Sequence, residues 1–399
     1  MKKQGKTNAF DVLRERGFVH STSHEKEIRE ALGSGPVTFY LGIDPTADNL
    51  HIGHFFALRA FRIMQDHGHK GIILIGNATA VIGDPSFKND MRKMLSQEAV
   101  DKNARDISNI LTKFLDVKNT TIVYNADWFK NINYVSALLD IGAHFNIAEM
   151  LSKDIYKNRL GNGLTFMEMG YMLMQGYDFV HLNEKYGCTL QIGGSDQWSN
   201  ILSGVELGRK KQKPLMMAFC TPLLTNHEGQ KMGKTEKGAL WVSGGSVTAY
   251  DFYQYFVNAH DNDVERLLLF FSDLPVPEIK TLCTKDIVLA KRTMALAVTE
   301  LIHGKDGAEK AKEMSAKLFS GDTGGADAPT VSVVCPSRSV VDVLVAANLA
   351  KSKREAREFI TGGAITIDND KITDVEHVVN KNECLVKKGK KTFLRIQIK

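Results

Sequence analysis

The chain has 399 residues, 43% hydrophobic and 24% charged, a composition ordinary for globular proteins and long enough for two or three cores. No apolar run reaches membrane-spanning length and Met1-Lys2-Lys3 opens no signal-peptide pattern, so a cytoplasmic chain without a membrane partner is expected. Five scattered cysteines (Cys188, Cys220, Cys283, Cys335, Cys384) contain no C-x-x-C pair, which argues against a disulfide framework or a zinc site. The net charge of +5 is localised. Residues 332–399 hold 13 lysines and arginines against 8 aspartates and glutamates, which accounts for all of it. A basic tail on a neutral body points to a polyanionic partner, although a solvated basic face would look the same.

In chain order, a lysine-bearing arm precedes one or two helices over residues 10–35. The apolar run 37–41 predicts a buried strand that breaks at Gly42 and Pro45, and a helical pattern follows over 51–68. Residues 71–76 and 121–124 are further short apolar runs, ending at Gly76 and before Asn125. Residues 189–192 end at Gly193-Gly194-Ser195-Asp196, and 215–225 reads as another strand. Short continuous apolar runs alternating with helical patterns predict a doubly wound parallel sheet, with ligands gathered at the carboxyl ends of the strands. From 248 to 319 the pattern is helical and poor in glycine. Residues 321–334 have linker composition. The tail predicts short helices over 340–361 and strands up to 398.

Three motifs carry chemistry. A strand feeding a helix start leaves unpaired backbone N–H groups that suit an anion, and His51 and His54 share one face of that helix. The pair lacks the H-E-x-x-H order of a metalloprotease, so no metal site is expected. Gly233-Lys234-Thr235 suggests a P-loop, but the Walker pattern needs glycine where Glu228 stands. What remains is a loop with Lys231 and Lys234 three apart. Tyr171, Gln175 and Asp178 stand at i, i+4 and i+7, so one helical face presents a phenol, an amide and a carboxylate. Buried, each would need a partner or cost about 1–3 kcal/mol.

His51-Ile52-Gly53-His54, followed downstream by Lys231-Met232-Gly233-Lys234-Thr235, resembles the HIGH and KMSKS signatures of class I aminoacyl-tRNA synthetases. Asp44-Pro45-Thr46-Ala47-Asp48, Ile82-Gly83-Asp84-Pro85-Ser86, residues 171–182 and Leu190 to Trp198 extend the resemblance, across nearly the whole chain, to the bacterial-type tyrosyl-tRNA synthetases. The chain departs from that pattern at Asn77 and Phe87, where glycine is usual, and carries Gly170 and Gly176 where larger small residues are common.

The resemblance implies an α/β architecture: a doubly wound, Rossmann-like parallel-sheet catalytic domain, then a helical domain and a small α+β RNA-binding domain. Residues 1–227 would form the catalytic domain with a dimerisation segment, 228–320 the KMSKS-type loop and a helical anticodon-binding domain, 321–335 a linker and 336–399 the RNA-binding domain. It implies ATP-dependent activation of L-tyrosine and transfer of the tyrosyl group to tRNA(Tyr), with Mg²⁺ carried on the ATP phosphates rather than in a protein cage.

By the same resemblance Tyr40 and Asp178 bind the substrate hydroxyl, and Tyr171, Gln175 and Asp84 its ammonium group, with Gln197 beside its carboxylate. Gly42, Gly193 and Asp196 match positions at the nucleotide, next to His54. Thr46 and His51 match residues that stabilise the departing pyrophosphate. Lys88, Arg92, Lys231 and Lys234, with Thr235, match two basic loops over the outer phosphates. Lys353, Arg354 and Arg357 match a tRNA-binding helix. A homodimer through residues 128–159 is implied, and no editing domain is expected. Two other readings share parts of these motifs: a tryptophan-specific relative or small nucleotidylyltransferase, and a non-catalytic RNA-binding protein that kept the fold.

Overall fold

The computed structural model describes residues 7–86, 95–161, 163–235, 238–243, 247–320, 330–389 and 392–399. The chain divides into two compact units, one of residues 1–247 and 257–298, the other of 248–256 and 299–399. The helical stretch expected as a domain of its own is thus shared between them.

The first unit is built on a six-stranded sheet of β1 (Ser21–Thr22), β2 (Thr38–Ile43), β3 (Lys70–Ile75), β4 (Thr120–Tyr124), β5 (Leu190–Gly194) and β6 (Met217–Thr221), in the order β1-β6-β5-β2-β3-β4. All pairs are parallel except the two-residue β1, which adds antiparallel to β6 at the edge. Ser21 and Thr22 lie inside the stretch expected to be helical. Their backbone instead pairs with Cys220 and Phe219 between the helices Ala9–Glu15 and Glu25–Ser34.

Continuous apolar sequence suits strands covered on both faces, and Ile72, Ile73, Leu74 and Ile75 are all buried. Phe61, from the helix Ile52–Asp66, lies so close to β3 that a Cβ at Gly71 would stand 2.1 Å from its ring. The strand order runs outward from β2 to β3 and β4, and on the other side from β5 to β6. The chain therefore reverses between β2 and β5, and a crevice opens at their carboxyl ends.

Beyond β6, two-residue strands β7 (Lys234–Thr235) and β8 (Gly238–Ala239) form a small antiparallel hairpin. The second unit carries a five-stranded sheet of β9 (Thr330–Val333), β10 (Ile365–Ile367), β11 (Asp370–Ile372), β12 (Glu383–Lys388) and β13 (Thr392–Ile398), ordered β11-β10-β12-β13-β9. The helices Val340–Ala346 and Lys353–Thr361 cover it through Val343, Leu344 and Ile360, against Ile365, Val386 and Ile396. The end of the expected linker is not linker: residues 330–333 are β9, parallel to β13, because β13 offers a free edge and Val333 fills the core. The rest of that stretch, 321–329, lies outside the described residues. Among the described residues no helix is long and apolar enough to cross a membrane.

Candidate active site

A cleft of about 560 Å³ opens at the reversal point between β2 and β5. Tyr40, Gly42, Thr46, His51, His54, Asp84, Tyr171, Gln175, Asp178, Gly193, Asp196, Gln197 and Lys231 all line it. Lys88 and Arg92 lie outside the described residues. Lys234 and Thr235 are described as backbone in β7, and Lys353, Arg354 and Arg357 belong to the second unit.

The innermost wall is a polar constellation in an apolar setting. Tyr40 pairs in register with Ile72 and Gln191, and its ring packs 5.1 Å from that of Phe179. Its hydroxyl is buried with no hydrogen-bond partner among the described residues, and the same holds for Gln191 Oε1. Asp178, only 2% exposed, accepts from Trp128 Nε1 (2.9 Å) and Asn125 Nδ2 (3.2 Å). Burial pushes the Asp178 carboxyl well above the usual range, and these two donors oppose that shift. Burial also raises the Tyr40 phenol, so it stays a hydroxyl at neutral pH. A buried hydroxyl without a partner costs about 1–3 kcal/mol, so the Tyr40 oxygen is available to a polar group that enters the cleft.

Asn125 holds this wall from behind. Its Oδ1 accepts from Ala78 N (2.7 Å), and its amide also donates to Thr79 Oγ1 (3.1 Å). Asn77 makes the reciprocal tie, accepting from Ala126 N (3.0 Å) and donating to Asp101 (3.2 Å). The two asparagines thereby lock the turns after β3 and β4 together, so Asn77 gives structural content to a departure from the family pattern. Asn125, Trp128 and Thr79 went unassigned as site residues in the sequence. The one available signal was an asparagine directly after a buried strand, where a turn must satisfy backbone donors.

One layer out, Asp44 Oδ2 accepts from the Tyr171 hydroxyl and Oδ1 from Thr79 Oγ1, both at 2.8 Å. Gly76 leaves room for that arrangement, since a Cβ there would lie 2.0 Å from Asp44 Oδ1. Asp84 is gripped by Ser86 N (3.0 Å), Ser86 Oγ (2.7 Å) and Gln197 Nε2 (2.7 Å). At Gly42 a Cβ would meet nothing within 4 Å, so the glycine leaves that part of the cleft floor bare.

The two histidines cap the helix Ile52–Asp66 reciprocally. His51 Nδ1 accepts from Gly53 N (3.1 Å) and His54 N (3.3 Å), while His54 Nδ1 accepts from His51 N (3.3 Å). Both Nδ1 atoms being acceptors, each neutral ring carries its proton on Nε2. The rings stack at 3.8 Å, and Gly53 makes space for them. Burial lowers both imidazoles, His54 from its ordinary 6.5 to about 3, with a smaller push from the neighbouring His51.

That shift has a stability consequence. Between pH 6.5 and about 3, His54 is protonated in the unfolded chain and neutral in the folded one. Its contribution is complete above 6.5 and is lost as pH falls, by up to about 1.4 kcal/mol per pH unit. Urea unfolding at pH 7, 6 and 5 should show this slope in the wild type and a shallower one in His54→Asn. Parallel slopes would remove His54 as the cause.

The segment bearing Lys231 is stitched to this helix start. Ile52 N donates to Leu240 O (3.0 Å), Val242 N to Leu50 O (2.9 Å), and His51 bridges to Trp241. Gly233, at φ 88°, sits where a Cβ would be 2.5 Å from Ile52 Cγ2. Lys231 Nζ reaches to 4.0 Å from Asp196, whose carboxyl is raised by burial against the pull of Lys231. The cleft therefore offers a buried hydroxyl and carboxylate at its inner end, and imidazole N–H donors with a lysine near its mouth.

A family model described as tRNA synthetases class I (W and Y) matches residues 33–320, and one described as a tyrosine–tRNA ligase SYY-like C-terminal domain matches 322–396. The tyrosine–tRNA ligases of Clostridium kluyveri and Fusobacterium nucleatum are each 46% identical, over 98% of this chain and 100% and 98% of theirs. Among solved structures, a C-terminally truncated Aspergillus nidulans mitochondrial tyrosyl-tRNA synthetase aligns at 29% identity and a TM-score of 0.70, covering 80% of this chain and 96% of that one. A tryptophanyl-tRNA synthetase from Encephalitozoon cuniculi, at 14% identity and a TM-score of 0.58, covers 76% of this chain and 87% of its own, and shares the fold.

Proposed function

Since this chain belongs to the class I tRNA synthetases of the tryptophan and tyrosine family, we propose that its cleft activates tyrosine in the manner set out below. The activity is tyrosine–tRNA ligation: tyrosine is activated with ATP and transferred to tRNA. The observation that carries the site assignment is a Tyr40 hydroxyl buried without a partner among the described residues, in the same cleft as an Asp178 carboxylate held by Asn125 and Trp128. A substrate phenol satisfies both, donating to Asp178 and accepting from Tyr40. Phenylalanine leaves both unpaired, and an indole N–H donates but does not accept, so the tryptophan reading leaves Tyr40 orphaned.

The remaining roles are those that the family resemblance implies, and the cleft lining supports those of the described side chains. Asp84, Gln175 and the Tyr171 oxygen take the ammonium group. Asp44 fixes Tyr171 by accepting a hydrogen bond from its hydroxyl, which leaves the oxygen lone pairs to accept from the substrate. Gln197, anchored on Asp84, stands by the carboxylate. Gly42 and Gly193 admit the nucleotide and Asp196 takes its ribose. Thr46 and the Nε2–H groups of His51 and His54 meet the phosphates, with Lys231, Lys234, Thr235, Lys88 and Arg92 on the outer ones.

The tyrosine carboxylate then attacks the α-phosphate in line and pyrophosphate leaves. Positioning and electrostatic stabilisation of the leaving group do the work, without a covalent enzyme intermediate. Mg²⁺ accompanies the nucleotide on its phosphates. Of the cleft carboxylates, Asp44 and Asp84 support that reading, being held by hydrogen bonds from Thr79, Tyr171, Ser86 and Gln197. The adenylate is then discharged onto the 3′-terminal adenosine of tRNA. Tyrosine-dependent ATP–pyrophosphate exchange tests the assignment directly. Exchange with tryptophan and not with tyrosine would overturn it.

The chain acts as a homodimer in a cytoplasmic compartment. Tyr134, Leu139, Ile147 and Phe166, each 62–71% exposed, support an interface in and beside residues 128–159. Sedimentation should give a dimer for the wild type and a monomer for Leu139→Glu combined with Phe166→Glu. A monomeric wild type would refute it. Residues 228–320 bind the anticodon arm and 336–399 are the RNA-binding domain. The exposed Lys353, Arg354 and Arg357 of the helix Lys353–Thr361 support phosphate contacts there.

A further inference from the structure

Lys231 enters the cleft from a hairpin whose tip is held by a cluster outside the cleft lining. Thr225 bridges to Lys231, Asn226 N donates to Gln230 O (2.8 Å) and Met232 N to Leu224 O (2.9 Å). At the tip, His227 stacks on His260 with ring centroids 3.8 Å apart and an interplanar angle of 19°. Its Nδ1 donates to Asp263 Oδ2 (3.2 Å). Asp263 is 2% exposed and also accepts from Arg266 Nη2 (3.0 Å), and the same Nη2 donates to Thr225 O.

His260 is itself fixed, because it caps the helix Asp261–Phe271 by accepting from Asn262 N (3.2 Å) at Nδ1. The hairpin is thus tied at its tip through a ring stack and a hydrogen bond, and at its base through Arg266. Each tie ends on one helix.

We propose that His227 is a positioning residue for Lys231: its bond to buried Asp263 and its stack on His260 hold the hairpin that delivers that lysine to the phosphate end of the cleft. The proposal rests on the assignment of tyrosine activation to this cleft. His227 touches neither substrate nor nucleotide. It acts through the three hairpin residues between it and Lys231, and its loss should change the rate of activation while leaving tyrosine binding alone.

The test uses the full chain and three variants. His227→Ala removes both ties, His227→Phe keeps a ring to stack, and His227→Asn keeps a donor for Asp263. His227→Ala should slow adenylate formation by about tenfold with KM for tyrosine within twofold, and leave transfer from preformed adenylate to tRNA unchanged. His227→Phe and His227→Asn should each recover part of the rate. Amide hydrogen exchange should accelerate over residues 224–233 in His227→Ala and stay unchanged in β2 and β3.

An unchanged exchange pattern in that hairpin overturns the proposal, as does a loss shared equally by activation and transfer. A wild type without tyrosine-dependent pyrophosphate exchange overturns the activity assignment instead. Amide exchange then still decides whether His227 holds the hairpin.

Discussion

Asp178→Asn should lower kcat/KM for tyrosine in ATP–pyrophosphate exchange by about 10²–10⁴-fold. The carboxylate is a charge-assisted acceptor for the substrate hydroxyl, a bond of about 1.5–3 kcal/mol. The substituting amide carries its own N–H₂ toward the Asn125 and Trp128 donors that now point at Asp178, so one buried donor loses its acceptor for about 1–3 kcal/mol more. Steady-state exchange over a range of tyrosine concentrations measures the effect. A change under fivefold would show that the carboxylate does not read the hydroxyl. The same variant should narrow the preference for tyrosine over phenylalanine, a discrimination of about 10⁵ already familiar from tyrosyl-tRNA synthetases.

His51→Asn should slow adenylate formation by about 10²–10³-fold while leaving stability within about 0.5 kcal/mol of wild type. The two halves of this expectation come from two nitrogens of one ring. Nδ1 caps the helix Ile52–Asp66 by accepting from Gly53 N and His54 N, and asparagine is among the best replacements at such a position. Nε2–H is the donor assigned to the phosphates, and the shorter amide does not reach its place. His51→Ala should lose both, with about 1 kcal/mol of stability gone in addition to the rate. Single-turnover adenylate formation and urea unfolding separate the two. Full activity in His51→Asn would reduce the residue to a cap.

Much of this was legible in the chain alone, and for identifiable reasons. The strands β2 to β5 are short apolar runs that meet glycine or asparagine at or near their carboxyl ends, and β6 is one that meets Pro222, a pattern that local chemistry dictates without reference to neighbours. The helix start at His51 follows from the break at Pro45 and the polar run after it. What was not legible depends on who faces whom. The two-residue β1 has no signal of its own and exists because β6 presents an open edge. Residues 330–333 look like linker and become β9 for the same reason at β13.

Within the site, motif spacing identified the side chains that line the cleft but not those that hold them. Asp44 was part of a signature turn, yet nothing in its surroundings in sequence foretells that it accepts from Tyr171, 127 positions away. Asn77 reads as an irregularity beside a family glycine. In space it is half of an asparagine pair that joins two strand ends.

The sequence by itself determined the chemistry available to this protein: two imidazoles at a helix start, a phenol, amide and carboxylate on one face within two helical turns, and a lysine-bearing glycine loop. Residue type and local periodicity suffice for that. Only the tertiary structure decided the state of those groups. It left the Tyr40 hydroxyl without a partner among the described residues, lowered both imidazoles by burial and set both tautomers through a reciprocal cap. It also tied the Lys231 hairpin to a buried aspartate. Protonation, orphaned donors and anchorage arise from desolvation and contacts between distant segments, and no single stretch of chain contains them.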